Sequence, residues 1–229
     1  AKFDRSNPIM TRIARLFFCI PIFLLLVFTP GLHAQKEAGE KKPAAQAKTG
    51  SKDPALEKYF IATAAFNRKL YPVAVSQFEG FLEDHATHEK SDLARRGLAL
   101  SLYALKQYDK ALPHLSALVA DKDLDKAVNL ERIIMLYGQC MTLTGKRQDA
   151  KELFVAQIEK LKSQTYRIAA LAVICDVSFS SKSWEEVVEW SGQLLAGKLD
   201  DEQKARGLYQ QGYAYYQLKK TPESVESLS

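Results

Sequence analysis

Residues 91–120 read SDLARRGLALSLYALKQYDKALPHLSALVA, and the reading of this stretch decides the fold. Two apolar stripes recur in it at helical spacing: Ala94, Leu98, Leu102 and Leu105, then Tyr108, Ala111, Leu112, Leu115, Leu118 and Val119. Lys106 and Gln107 form the polar hinge between them. Helices joined by so short a link lie antiparallel, and a lone pair leaves one apolar face without cover. The stretch therefore predicts neighbours of its own kind.

Those neighbours lie on both sides in the chain. With Ala111 as anchor, the same context returns at Ala74, Ala150, Val187 and Ser224, at intervals of 37, 39, 37 and 37 residues. Twelve residues before each anchor stand Ala62, Ala99, Gly138, Cys175 and Gly212, so nine of the ten paired positions are Gly, Ala, Ser or Cys. Small side chains let two helix backbones approach closely. Four residues after each anchor come Phe78, Leu115, Phe154, Ser191 and Leu228, a bulky wedge beyond the crossing that only Ser191 interrupts. Repeat four is the least regular. The expected fold class is all-α: five antiparallel helix pairs at about 55–88, 91–121, 124–162, 165–197 and 201–229, stacked as an α-solenoid.

These columns resemble the tetratricopeptide repeat (TPR) family, whose helix pairs carry small residues at positions 8 and 20 and a large apolar one at position 24. The resemblance implies a right-handed superhelix. The stride here exceeds the 34 residues of that family, and the excess is expected in the joints between pairs, such as 85–90 and 121–126. Residues 71–82, YPVAVSQFEGFL, together with 97–111 resemble the bacterial envelope branch of the family, which includes outer-membrane assembly lipoproteins and Tol–Pal-associated periplasmic coordinators.

The family's concave face is formed by positions 2, 5, 9 and 12 of each pair, so the resemblance implies a partner-binding surface. Carried over residue by residue, it contains Tyr59 and Phe66 from the first pair, then Arg96, Leu100 and Tyr103, then Gln139. Asp176 and Phe179 follow from the fourth pair, and Tyr209, Tyr213 and Tyr216 from the fifth, beside Arg206. Tyrosines suit recognition, bringing large apolar area, few torsions and a hydroxyl that can still bond. The rival reading packs Tyr213 and Tyr216 under a following repeat. A carboxylate clamp of the chaperone-tail-binding type is not assembled, because Tyr59, Thr63 and Gly97 occupy its first three places and Arg132 alone does not make one.

Charge narrows the partner class. The chain of 229 residues is +5, but residues 1–34 carry +3 and residues 35–54 carry +2; the remaining 23 basic and 23 acidic residues cancel. A neutral repeat body argues against nucleic acid and leaves a protein or peptide as the expected partner. The sequence sets no oligomeric state.

Ahead of the repeats, Met10, Arg12 and Arg15 precede a 13-residue apolar run at 16–28, then Pro30, Gly31 and Leu32-His33-Ala34. This is a signal-peptide layout, with cleavage expected after Ala34, and the run is short for a membrane span. It predicts export to the periplasm or cell envelope; an uncleaved anchor through residues 13–28 is the alternative and the one expected membrane contact. Leu16-Phe17-Phe18-Cys19 lacks the small residues of a lipoprotein box. Residues 35–54, rich in Lys, Glu, Ala, Gly and Pro, read as a disordered linker, with Asp53 as N-cap and Pro54 opening the first helix. The short helix after Pro222 would leave Tyr215 uncovered, so the repeat pattern predicts further chain beyond Ser229.

Local signals support the register. Ser183 and Glu186 read as a capping box, Gly145 as a helix stop, and Pro72 and Pro222 as first-turn prolines. Cys140 and Cys175 are read as buried thiols, a disulfide between adjacent helices being the alternative. No phosphate loop, nucleophile elbow or His-Glu-x-x-His helix is present, so no cofactor and no catalytic role is expected. The segment 83–89, with His85, His88 and three carboxylates, reads as a solvated joint rather than a metal site, and His114 as an outer-surface residue. The expected function is an exported interaction scaffold; the rival is an adaptor module of a larger protein whose further chain carries the activity.

Overall fold

A computed structural model describes residues 53–126 and 128–229. The chain divides into two units, residues 1–49 and 50–229, and the described residues belong to the second. Its described residues form ten α-helices: α1 Pro54–Asn67, α2 Tyr71–Asp84, α3 Ser91–Ala104, α4 Tyr108–Ala120, α5 Leu130–Leu143, α6 Arg147–Gln157, α7 Gln164–Ser180, α8 Trp184–Leu195, α9 Asp201–Gln217 and α10 Thr221–Leu228. Each helix packs on the next in chain order, and α1 also touches α3, α5 touches α7, and α7 touches α9. That pattern makes an α-solenoid of five hairpins. The expectations for residues 1–52 lie outside the described residues.

The small-residue columns are the crossings. Ala62, Ala99 and Cys175 and their partners Ala74, Ala111 and Val187 are all 0% exposed. A Cβ on Gly138 would fall 2.2 Å from Phe154 Cζ, and one on Gly212 would fall 2.6 Å from Leu228 Cγ. The wedge therefore sits directly over the missing side chain. In repeat five the Ser224 hydroxyl donates to the Gly212 carbonyl at 2.9 Å, tying the two small columns together.

Every hairpin turns through one residue in the left-handed region: Lys69, Lys106, Gly145, Lys182 and Lys219, with φ between 60° and 81°. Each turn closes with a pair of backbone bonds, as where Lys106 N–H donates to Tyr103 O at 2.9 Å and Gln107 N–H to Leu102 O at 2.9 Å. The column follows the repeat stride. The joints between pairs are longer, spanning 85–90, 121–129, 158–163 and 196–200, which accounts for a period above 34. The third pair opens at Leu130 rather than 124, because Asn129 caps α5 by accepting from Arg132 N–H at 3.0 Å.

Other caps divide. Asp53 Oδ1 accepts from Ala55 N–H at 2.9 Å with Pro54 in the first turn, as expected. Ser183 makes no side-chain cap bond, which corrects the expected box. Glu186 is drawn instead into a pair with Lys151 of α6, and its Oε2 also accepts from Ser178 Oγ at 2.8 Å. The capping box that does form joins Asp200 and Gln203 at the start of α9.

Two apolar clusters share α5: Ile133, Leu136 and Cys140 join the cluster of the first two pairs, while Ile134 and Met135 join that of pairs three and four. Repeat five is thinner, with Ala214 as its buried apolar residue beside buried Gln210 and Ser224.

Candidate functional site

Of the twenty side chains at repeat positions 2, 5, 9 and 12, nineteen keep partial or full exposure, and Met135, at 8%, is buried. Position 8, which flanks those positions around the helix, is buried in all five pairs. The helical period thus separates a packing stripe from an accessible stripe along the first helices.

The accessible stripe is not uniform. In repeats one, two and four, the position-12 ring is braced by a ring five residues later across the turn. Phe66 lies 5.8 Å from Tyr71, Tyr103 lies 5.4 Å from Tyr108, and Phe179 lies 5.6 Å from Trp184, between centroids. Phe66, Tyr103 and Phe179 therefore clamp their own hairpins as well as lining the face. Tyr59 also packs inward, 5.9 Å from Phe81, and Leu100 rests against the first cluster. Tyr103 is pushed up to about 12 by burial, which keeps its hydroxyl neutral beside Gln139.

Repeats four and five bring five rings together. Tyr213 touches Phe179 at 5.5 Å, Trp184 at 5.6 Å, Tyr209 at 6.1 Å and Tyr216 at 6.4 Å. Tyr216 has Thr221 where a bracing ring would stand, and it is 64% exposed. Beside the rings, Arg206 Nη2 lies 2.7 Å from Asp176 Oδ2, and Gln210 Nε2 donates to Asp176 Oδ1 at 2.8 Å. Burial raises Asp176 above the ordinary carboxylate range, while Arg206, Gln210 and Arg147 pull it back. Burial, then Tyr213, raises Tyr209. This arrangement presents half-buried rings and a guanidinium on a fixed carboxylate.

The eleven proposed residues thus do not form one patch. Tyr59, Phe66, Leu100 and Tyr103 line the first two pairs with Arg96, which is half-buried; Gln139 stands on α5; the remaining five gather on α7 and α9. Sequence reasoning missed Trp184 and Gln210. An aromatic opening α8 after the turn, as Tyr71 opens α2 and Tyr108 opens α4, was the available signal for Trp184. Gln210 stood out as a polar residue in the column of Gly97 and Leu136.

The remaining titratable groups have structural tasks. His88 Nε2 lies 3.2 Å from Asp53 Oδ2, and its Nδ1 accepts from Lys90 N–H at 3.0 Å, so the 85–90 joint is tied to the start of α1. The Ala55 N–H bond, with help from His88, lowers Asp53. Among the described residues no group of three metal-ligating side chains converges. His114 is half-buried, and burial with nearby Arg95 lowers it. Cys140 and Cys175 are free, buried and pushed up to about 12 by burial, so both are packing groups and no disulfide joins them.

No protein-family model matches the chain, and no curated protein is similar to it in sequence. Solved structures are similar in fold. A TPR repeats protein from Bacteroides fragilis superposes with a TM-score of 0.52 at 15% identity, over 77% of this chain and 84% of that one. PilF of Pseudomonas aeruginosa superposes with a TM-score of 0.50 at 14% identity, over 76% of this chain and 72% of that one. The fold is that of TPR-repeat proteins. A putative kinesin light chain from Podosopora anserina, with TPR-like repeats, covers 78% of this chain and 94% of its own at 19% identity, with a TM-score of 0.48. The helix order, the small-residue crossings and the superpositions on the Bacteroides fragilis protein and PilF agree on one architecture.

Proposed function

We propose that this chain belongs functionally with TPR scaffolds and holds an extended peptide or a protein segment against its first-helix face, chiefly at repeats four and five. The observation that carries this reading is the ring cluster of Phe179, Tyr209, Tyr213 and Tyr216 beside the Arg206–Asp176 pair. Rings with few torsions give contact area at low entropic cost, and exposed aromatics gathered on one side favour a partner. The guanidinium, 47% exposed, offers donors to a peptide carbonyl or carboxylate. The role is binding, not catalysis.

The test is selection from a displayed random-peptide library, followed by titration of the enriched peptides against variants. Tyr216→Ala should weaken them by about tenfold, a typical anchor loss, with no change in melting, because Tyr216 is 64% exposed. Tyr213→Ala cannot serve alone, since Tyr213 packs on Phe179 and Trp184 and its truncation removes fold contacts too. Enriched peptides that bind Tyr216→Ala and Arg206→Ala as well as the parent chain would exclude this face.

We read residues 1–34 as an N-terminal extension and export signal delivering the repeats to the periplasm or envelope, residues 35–54 as a linker, and a retained anchor at 13–28 as the alternative. The Arg12 and Arg15 charges ahead of the 16–28 run support this. A fusion of residues 10–40 to a reporter that is active only after export should be active in bacteria, and silence of that fusion would refute it.

A further inference from the structure

The outward side of α1 is built like an interior. In repeats two to five, position 3 of the pair, held by Ala94, Ile133, Ala170 and Gly207, is buried without exception, and the second helix of the preceding pair supplies the cover. The closeness of that cover shows at Gly97, where a Cβ would fall 2.4 Å from Phe78 Cζ. In repeat one the equivalent stripe is Glu57, Phe60, Ile61 and Ala64, all exposed, with Phe60 at 57% and Ile61 at 48%. Position 61 is matched by Leu98 and Ile174, which are 1% and 0% exposed. Phe60 and Ile61 are therefore core-type side chains on a helix face that no described residue covers.

The charges at the two ends of the stripe state what covers it. Glu57 lies in the first turn of α1 and Arg68 is its C-cap residue, one helical stripe with the apolar residues between them. Neither forms an ion pair among the described residues. The stripe reads acid, three apolar residues, base, which is complementary to itself when reversed.

We propose that this face pairs with the same face of a second copy of the chain, α1 running antiparallel to α1 about a twofold axis. Pairing centred between Ile61 and Ala64 sets Glu57 of each copy opposite Arg68 of the other, and Ile61 opposite Ala64. Such an isologous contact satisfies both charges twice with one surface. Ala64 at the centre lets the helices approach closely, and each Phe60 flanks the crossing. One helix pair falls short of the roughly 800 Å² per partner of a standard interface, so the dimer is weak and concentration-dependent.

Sedimentation equilibrium of the full chain, at low salt and over a wide concentration range, tests the pairing. Phe60→Glu should weaken self-association by about tenfold or more, as loss of a buried aromatic anchor does. Glu57→Arg and Arg68→Glu should each weaken it, since one reversal spoils two pairs by symmetry, and the difference should shrink as salt is raised. The double variant Glu57→Arg/Arg68→Glu should restore the parent constant. All these positions are exposed, and circular dichroism checks that each variant folds. Self-association indifferent to Phe60→Glu, single reversals without effect, a double variant that fails to restore, or a parent chain monomeric throughout would each overturn the proposal.

Discussion

Repeat two and repeat four solve the same crossing with the bulk in different places. In repeat two the crossing is Ala99 on Ala111 with Leu115 as wedge; in repeat four it is Cys175 on Val187 with Ser191 in the wedge position. All six side chains are 0% exposed. Volume has moved one helical turn, from the wedge to the anchor, and the hydroxyl left at the wedge donates to the Val188 carbonyl at 3.2 Å. The repeat thus constrains the filling of the crossing as a whole rather than the identity at each position, as expected of close-packed interiors.

Transplanting one solution into the other should break this equivalence, with the largest effects in the molecule. Leu115→Ser removes a buried wedge without enlarging Ala111 and should cost about 3–5 kcal/mol in chemical denaturation. Ser191→Leu crowds Val187 and should cost about 1–3 kcal/mol. Combining it with Val187→Ala restores the arrangement of repeat two, and the double variant should be more stable than the sum of the single changes implies, by about 0.5–3 kcal/mol. Strict additivity in that cycle would show that the two positions do not share a volume. Ala111→Leu, which adds bulk to repeat two and removes none, should cost about 1–3 kcal/mol.

The two repeats also differ in what holds them to their neighbours. Repeat four carries a polar tie: Lys151 of α6, 8% exposed, is paired with Glu186 of α8, which also accepts from Ser178 of α7. Glu186→Gln would leave the Lys151 ammonium buried without its anion. The Glu186 side chain is 44% exposed, so water softens the loss to about 1–3 kcal/mol. The Lys151 hydrogen bond first, then Ser178, lowers Glu186 below its ordinary 4.5. A lowered folded pKa means that this contribution is complete above about 4.5 and disappears as pH falls through the lower folded value. Glu186→Gln should therefore flatten the acid limb of the stability profile, and an acid limb identical to that of the parent chain would show that the pair contributes nothing there.

Most of the fold was legible in the sequence because it rests on period and size. The stride from Ala74 to Ser224 and the small columns follow from helix geometry, which a single chain displays directly. What escaped depends on partners across the fold. Ser183 and Glu186 have the spacing of a capping box, yet a buried lysine on another helix competes for the carboxylate. The lining residues were legible as a stripe, but not which of them are committed to their own hairpin. That depends on Tyr71, Tyr108 and Trp184 meeting Phe66, Tyr103 and Phe179 across a turn. Repeat three has Thr142 and Arg147 in those places, which is why the ring clamp is interrupted there.

The smallest contrast lies in the turns. Repeats two and four both turn through a lysine in the left-handed region, Lys106 and Lys182 with φ of 60°, where repeat three uses Gly145 with φ of 81°. A Cβ in that region crowds the following carbonyl, a cost of about 1 kcal/mol that glycine escapes, although glycine gives back part of it through the freedom it has when unfolded. Lys106→Gly should therefore raise stability by about 0.5–1 kcal/mol, and Lys182→Gly by a similar amount, since both turns close with the same two backbone bonds. Gly145→Lys should cost about as much as either of them gains. If Lys182→Gly stabilises and Lys106→Gly does not, the Lys106 side chain contributes through its charge or its contacts. Lys106→Asn, which tolerates the left-handed region without the charge, tests this: absence of a gain there too assigns the difference to the lost lysine side chain, and recovery of the gain assigns it to the backbone freedom of glycine instead.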